Sequence, residues 1–212
     1  MNLYIQNVIN EPLTYLPIMI LTMFSICLHE FMHAFTALKQ GDTTAKEQGH
    51  LTLNPLKQMG PISLVMLAII GIAWGAVPVN PNRMKHKYSN ALVAFAGPFT
   101  NLVLAFFFAT ICAIIKISDT NEFVALFQIF GSASVLNLVL FAFNMIPVPP
   151  FDGWSVFTYF IPKLKHKLES SEFHKGGALF ILIAAVFLIN KLFYFFSYVV
   201  QNYIDFIVEL IK

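Results

Sequence analysis

An all-helical, polytopic membrane protein forming a single domain over residues 1–212 is the fold class this sequence predicts, and three observations predict it. Only 11% of the residues are charged against 58% hydrophobic, roughly half the charged share of an ordinary soluble domain. The charge is also unevenly placed, since residues 12–28, 58–82, 88–115 and 123–151 contain no Asp, Glu, Lys, Arg or His. A helix needs about 20 apolar residues to cross the hydrocarbon, and a soluble core of this size hardly has room for about four such runs. Finally, the polar stretches 39–60, 80–87 and 161–175 are loop-sized, so no part of the chain reads as a separate soluble domain. The expected environment is the lipid bilayer of a cell membrane. A net charge of +2 is too small to suggest nucleic acid as a partner.

The elements follow in chain order. The first apolar run, 12–38, is not expected to be a cleaved leader: it lacks a basic flank, has Glu11 at its edge, and runs straight into His29 and Glu30. The run 61–79 is broken, with Pro61 opening it, Gly71 and Gly75 interrupting it, and Pro78 and Pro81 closing it. It predicts a re-entrant or short β-like element around 45–80, tolerated at membrane depth only where protein or a water-filled cavity surrounds it. The runs 88–115, 123–151 and 176–200 read as further spans, followed by an amphipathic tail, 201–212. Cys27 and Cys112 each lie in an apolar run with no second cysteine at chelating spacing, and read as lipid-facing or packed thiols rather than a disulfide or zinc pair.

Chemistry enters at His29-Glu30-Phe31-Met32-His33, an H-E-x-x-H motif. On a helix, positions i and i+4 share a face, so both imidazoles can meet one metal ion. The glutamate between them can hold a water beside that ion and take its proton. Ionisable groups inside an apolar helix are costly unless they pair or line a cavity, which marks these three as functional candidates. A catalytic zinc usually has three protein ligands, so one more is required. Asp152 is the best candidate. It follows 29 uncharged residues, Pro147, Pro149 and Pro150 break the helix before it, and Pro-Pro-Phe-Asp-Gly reads as a turn in which Gly153 is free to adopt positive φ. His50, His86, His166 and His174 lie in polar loops and are weaker candidates.

At these residues the chain resembles the site-2 proteases, the intramembrane zinc proteases, in their short bacterial and archaeal form. Besides the His29–His33 motif, three stretches carry the likeness over about residues 20–160. They are Gly49-His50-Leu51-Thr52-Leu53-Asn54-Pro55, Ala96-Gly97-Pro98-Phe99-Thr100-Asn101, and the run from Asn144-Met145-Ile146-Pro147 to Asp152-Gly153. The resemblance implies one Zn²⁺ held by His29, His33 and Asp152, with Glu30 as general base. It implies for Asn144 a role in holding the substrate or the oxyanion, which suits an amide N–H beside a metal. His50 and Asn101 sit in matching stretches without an assigned chemistry. The implied activity is an endopeptidase that cuts membrane-protein substrates in or near a transmembrane helix. The competing readings are a membrane ion or metal transporter and a catalytically inactive binding module using the same cluster. A transporter would favour inverted repeats, which the sequence does not show.

Topology gives an independent expectation. His33 and Asp152 must lie at similar depth, at the ends of helices running in the same direction, so an odd number of crossings separates them. The helix 88–115 supplies one, which makes 61–79 re-entrant and leaves about four full spans. Loops 39–60, 80–87 and 152–175 then share a side and hold Lys39, Lys46, Lys57, Arg83, Lys85, Lys87, Lys163, Lys165, Lys167 and Lys175. The other side keeps Lys116, Lys212 and, at most, Lys191. That bias places the loops and the active site toward the cytoplasm.

Overall fold

The structure is a computed structural model that describes residues 4–118, 123–163 and 173–212, the last stretch with side chains from 188 onward. Helix α1 spans Tyr4–Asn10 and α2 spans Pro12–Lys39. Pro12 stands at the start of α2, where its missing N–H would have had no partner anyway. The helix ends on a glycine stop. Gly41 takes φ 103°, its N–H donates to the Leu38 carbonyl, and the Asp42 N–H donates to the Ala37 carbonyl at 2.9 Å. This stop delivers Asp42 to a fully buried position.

Two one-turn helices follow, α3 (Thr44–Glu47) and α4 (Pro55–Gln58), and then α5 (Gly60–Ile70). Asn54 starts α4 by accepting from the Leu56 N–H at 2.9 Å. At 11 residues, α5 is about 16 Å long, half the hydrocarbon thickness. Gly71 closes it in the left-handed conformation, and the chain then returns in extended form. Ala76 N–H donates to the Gln58 carbonyl at 2.9 Å, so residue 76 lies back beside the residue that precedes α5. Ser63 Oγ ties the same return to the Trp74 backbone, and Asp42 accepts from Asn80 N–H at 2.6 Å. A single 3₁₀ turn, Pro81–Arg83, leads into the next helix.

Helix α6 (Ser89–Ile117) is the hub, packing against α2, α7 (Val124–Asn144), α8 (Asp152–Phe160) and α9 (Phe173–Ile211). Its buried face is rich in small residues, among them Gly97, Ala105, Ala109 and Ala113. Small side chains let helices approach closely in a bilayer, where apolar burial alone provides no drive to associate. Ala105, Ala109, Cys112 and Ala113 form one core cluster with Val135 and Leu138 of α7 and Val200, Ile204 and Val208 of α9. Cys27 packs in a different cluster with Ile26, Met59 and Leu67. Both thiols are buried and free.

Among the described residues, three helices, α2, α6 and α7, are long and apolar enough to cross a membrane. Several expectations need correction. No strand occurs among the described residues, so the region 45–80 is two helical turns, a short helix and an extended return rather than a β-like element. The run 123–151 is not one helix: α7 stops at Asn144, because Pro147, Pro149 and Pro150 have no N–H to continue it. The amphipathic tail 201–212 is not separate either, since α9 runs unbroken to Ile211. The fourth expected span, 176–200, lies within α9. Lys165, His166 and Lys167, and the side chains of His174 and Lys175, fall outside the described residues.

Candidate metal centre

His29, Glu30 and His33 lie in the C-terminal half of α2, each less than a tenth exposed. Asp152 arrives from a different direction. After α7 ends, a turn with a Val148 N–H to Ile146 carbonyl bond and a cis Pro149–Pro150 peptide carries the chain into α8, where Asp152 is the first residue. The positive end of that helix favours a carboxylate there. Gly153 is helical rather than at positive φ. Its role is close approach, since a Cβ there would overlap the backbone of Met145 and the Ile146 carbonyl.

The structure brings three of the expected site residues into one triangle. His29 Nε2 lies 3.0 Å from His33 Nε2, and Asp152 Oδ2 lies 3.2 Å from the first and 3.3 Å from the second. A tetrahedral ion with bonds of about 2.0 to 2.1 Å separates its ligand atoms by about 3.3 Å, so the spacing fits zinc. The proton placement fits too. His33 Nδ1 donates to the Val93 carbonyl at 2.7 Å, and a carbonyl can only accept, so Nε2 of the neutral ring presents a lone pair. That lone pair and a carboxylate oxygen face each other across a buried gap, an arrangement that a cation satisfies. Two imidazoles and one carboxylate are a donor set suited to zinc.

Gly97 of α6 borders the gap. A Cβ on it would overlap Nε2 of both His33 and His29. Glu30 is held in the same way by Gly75 of the extended return, where a Cβ would overlap its Cγ and carboxyl group. The extended return therefore passes directly against the glutamate at Gly75. Asn144, at the end of α7, is turned to its own helix, with Nδ2 donating to the Leu140 carbonyl at 3.0 Å. His86 is exposed and stacks on Tyr88. His50 is half-buried, with Nδ1 lacking a partner.

Three participants escaped sequence reasoning in these roles. Gly75 was visible only as a break in an apolar run. Gly97 and Asn101 lay inside a recognisable stretch but without a chemistry. In the structure Asn101 Oδ1 sits 2.5 Å from His29 Nδ1.

Comparison with known proteins gives a consistent picture. Residues 110–189 match Peptidase family M50. The chain is 35% identical over 181 residues to YwhC of Bacillus subtilis, named as a candidate zinc metalloprotease, covering 81% of this chain and 82% of that protein. It is 36% identical over 155 residues to Rip2 of Mycolicibacterium smegmatis, similarly named, covering 68% of this chain and 58% of that protein. It is 33% identical over 128 residues to the similarly named MJ0611 of Methanocaldococcus jannaschii, covering 60% of this chain and 62% of that protein. No solved structure matches it. With a relative this similar over four-fifths of both chains, the chain belongs to peptidase family M50, the site-2 proteases.

Proposed function

We infer that this zinc metalloendopeptidase hydrolyses peptide bonds in or near the transmembrane helices of membrane-protein substrates, the chemistry of regulated intramembrane proteolysis. One observation carries the reading: His29, His33 and Asp152, from two separate helices, converge within 4.8 Å. These three residues hold the metal, and Glu30 is the general base. Bound there, zinc polarises a carbonyl and acidifies a water. Glu30 takes the proton of the attacking water and returns it to the leaving amine. Asn144 lies at the end of α7, eight residues before Asp152, and its Nδ2 keeps a second hydrogen for the substrate carbonyl oxygen.

A helical substrate hides its carbonyls, so the scissile stretch must unwind. Segment 72–80 offers a way to hold it open. Trp74 and Ala76 turn their N–H groups toward Ser63 and Gln58. In extended chain Gly75, between them, turns its N–H and C=O to the opposite edge, where a substrate strand can add. The short α5 and the return of residues 76 and 80 to Gln58 and Asp42 support a re-entrant element. With α9 as the fourth span, the site then opens toward the cytoplasm, on the side of the basic loops.

The test uses purified protein in liposomes with a model single-span substrate. Wild type should release a defined fragment, and a chelator should stop it. Glu30→Gln should retain zinc and lose at least about 100-fold in rate. Cleavage that survives in Glu30→Gln would refute the assignment.

A further inference from the structure

We propose that Asn101 and Asn137 are positioning residues that set the tautomer of His29, so that its Nε2 presents a lone pair to the metal gap. The proposal rests on the reading of His29 as a ligand. It is carried by a chain of hydrogen bonds through three helices, all between groups closed to solvent. His29 Nδ1 lies 2.5 Å from Asn101 Oδ1 of α6. Asn101 Nδ2 donates to Asn137 Oδ1 of α7 at 2.9 Å. Asn137 Nδ2 donates to the Ala133 carbonyl of its own helix at 2.8 Å and to Ser25 Oγ at 2.9 Å. Asn101, Asn137 and Ser25 are each 0% exposed. Ser25 stands one turn before His29 on α2, so the chain closes back on the helix where it began.

The direction of this relay follows from its anchor. The Ala133 carbonyl has no hydrogen to give, so the Asn137 amide must turn its NH₂ toward it. Asn137 Oδ1 then faces Asn101 and can only accept, which turns the Asn101 NH₂ toward α7. Asn101 Oδ1 is left facing His29 and also only accepts. The proton of the neutral ring therefore sits on Nδ1, and Nε2 is bare. The reversed relay would set Asn137 Oδ1 against the Ala133 carbonyl, two buried acceptors face to face. His33 reaches the same state by a shorter route, directly through the Val93 carbonyl. Neighbours of this kind orient metal-bound histidines, and their loss typically weakens metal affinity about 10- to 100-fold.

The test reads the tautomer itself, on metal-free full-length protein labelled with ¹⁵N at histidine. In wild type, Nδ1 of both His29 and His33 should carry a proton, facing the Asn101 Oδ1 and Val93 carbonyl acceptors. A His29 ring with a bare Nδ1 would overturn the proposal whether or not the protein binds zinc. In Asn137→Leu, a variant that touches no ligand, His29 should become a mixture of tautomers while His33 is unchanged. Zinc affinity, read by chelator competition, should fall about 10- to 100-fold. Asn101→Leu should do the same and serves if the first variant does not fold.

Ser134→Ala separates positioning from packing. It removes an equally buried bond between the same two helices, Ser134 Oγ to the Ala105 carbonyl at 2.8 Å, outside the relay. It should lower stability and leave the His29 tautomer alone; an equal shift there would sink the proposal. A correct tautomer in protein that binds no zinc supports the relay and counts against the metal reading instead.

Discussion

Between Val93 and Asn101, α6 meets its neighbours through a carbonyl, a bare glycine and an amide, whereas between Ala105 and Ala113 it meets them mainly through methyl groups, a phenyl ring and a thiol, with one carbonyl bonded to Ser134. Both stretches are buried, and both rely on small residues to bring helices close. They differ in what the closeness is for. In the second stretch, small size serves packing with Val135, Leu138, Val200 and Ile204. In the first, Gly97 leaves open the space that His29 and His33 face. An added methyl should therefore be felt as strain in one place and as lost chemistry in the other.

The largest effect should come from Gly97→Ala, whose methyl would fall on Nε2 of both histidines. Zinc per chain, measured by metal analysis after purification, should drop well below one while the helical content stays. The matching change in the other half, Ala109→Leu, should cost about 1–3 kcal/mol of stability through overpacking. The protein that remains folded should hold its zinc. Equal zinc loss in the two variants would erase the distinction. Gly75→Ala is next: its methyl would press on the Glu30 carboxyl rather than on a proposed ligand. Displacing a catalytic group by about 1 Å costs on the order of 100-fold in rate, so cleavage should fall by that order with zinc retained. Zinc loss in this variant would place residue 75 at the metal instead.

The same contrast explains what the sequence could disclose. The motif around His29 is local to one helix, so its spacing states its geometry. Asp152 was legible because a carboxylate ending a long uncharged run needs a reason. The three prolines also announced the break before it, but not that Asp152 opens a new helix in which Gly153 is needed for close approach rather than for positive φ. Asn101 was illegible for a different reason, since a lone amide in an apolar helix says nothing of a partner 72 residues away. Gly75 and Gly97 act by lacking a side chain, and a sequence does not show what would have collided with one. The region 45–80 looked β-like from its prolines and glycines. Its shape is set instead by the side chains of Asn54, Gln58 and Ser63 bonding to nearby backbone.

A smaller effect tests the loop end of α2, where a buried carboxylate organises the backbone. Burial pushes the Asp42 carboxyl up, but the Thr44 hydroxyl, the Asn80 and Thr44 N–H groups and the Arg83 charge outweigh it, and the net shift is down. A carboxylate held below its unfolded value stabilises fully above that value, about pH 3.9, and the contribution is lost as pH falls through the lowered value. Hydrogen exchange at Asn80 N–H should therefore stay slow from neutral pH to about 4 and, corrected for intrinsic rate, quicken below it. Asp42→Asn should show the quicker exchange already at neutral pH, and a pH-independent difference would remove the charge from the explanation.

The smallest effect is expected at the far end of α6, where Lys116 Nζ meets Asp205 Oδ1 of α9 at 2.6 Å and Gln201 Nε2 bonds both carboxylate oxygens. The short distance invites a large energy, but 43% and 46% of the two side chains are exposed. Water and salt at that end screen the attraction, and two long side chains lose freedom to make it. Lys116→Ala should therefore cost less than about 1 kcal/mol in thermal unfolding, with zinc and cleavage unchanged. The comparison turns on this number as much as on the large ones. A loss of several kcal/mol would mean that lipid headgroups exclude water from the pair, making the apolar half of α6 as dependent on a desolvated polar contact as the half that holds the histidines.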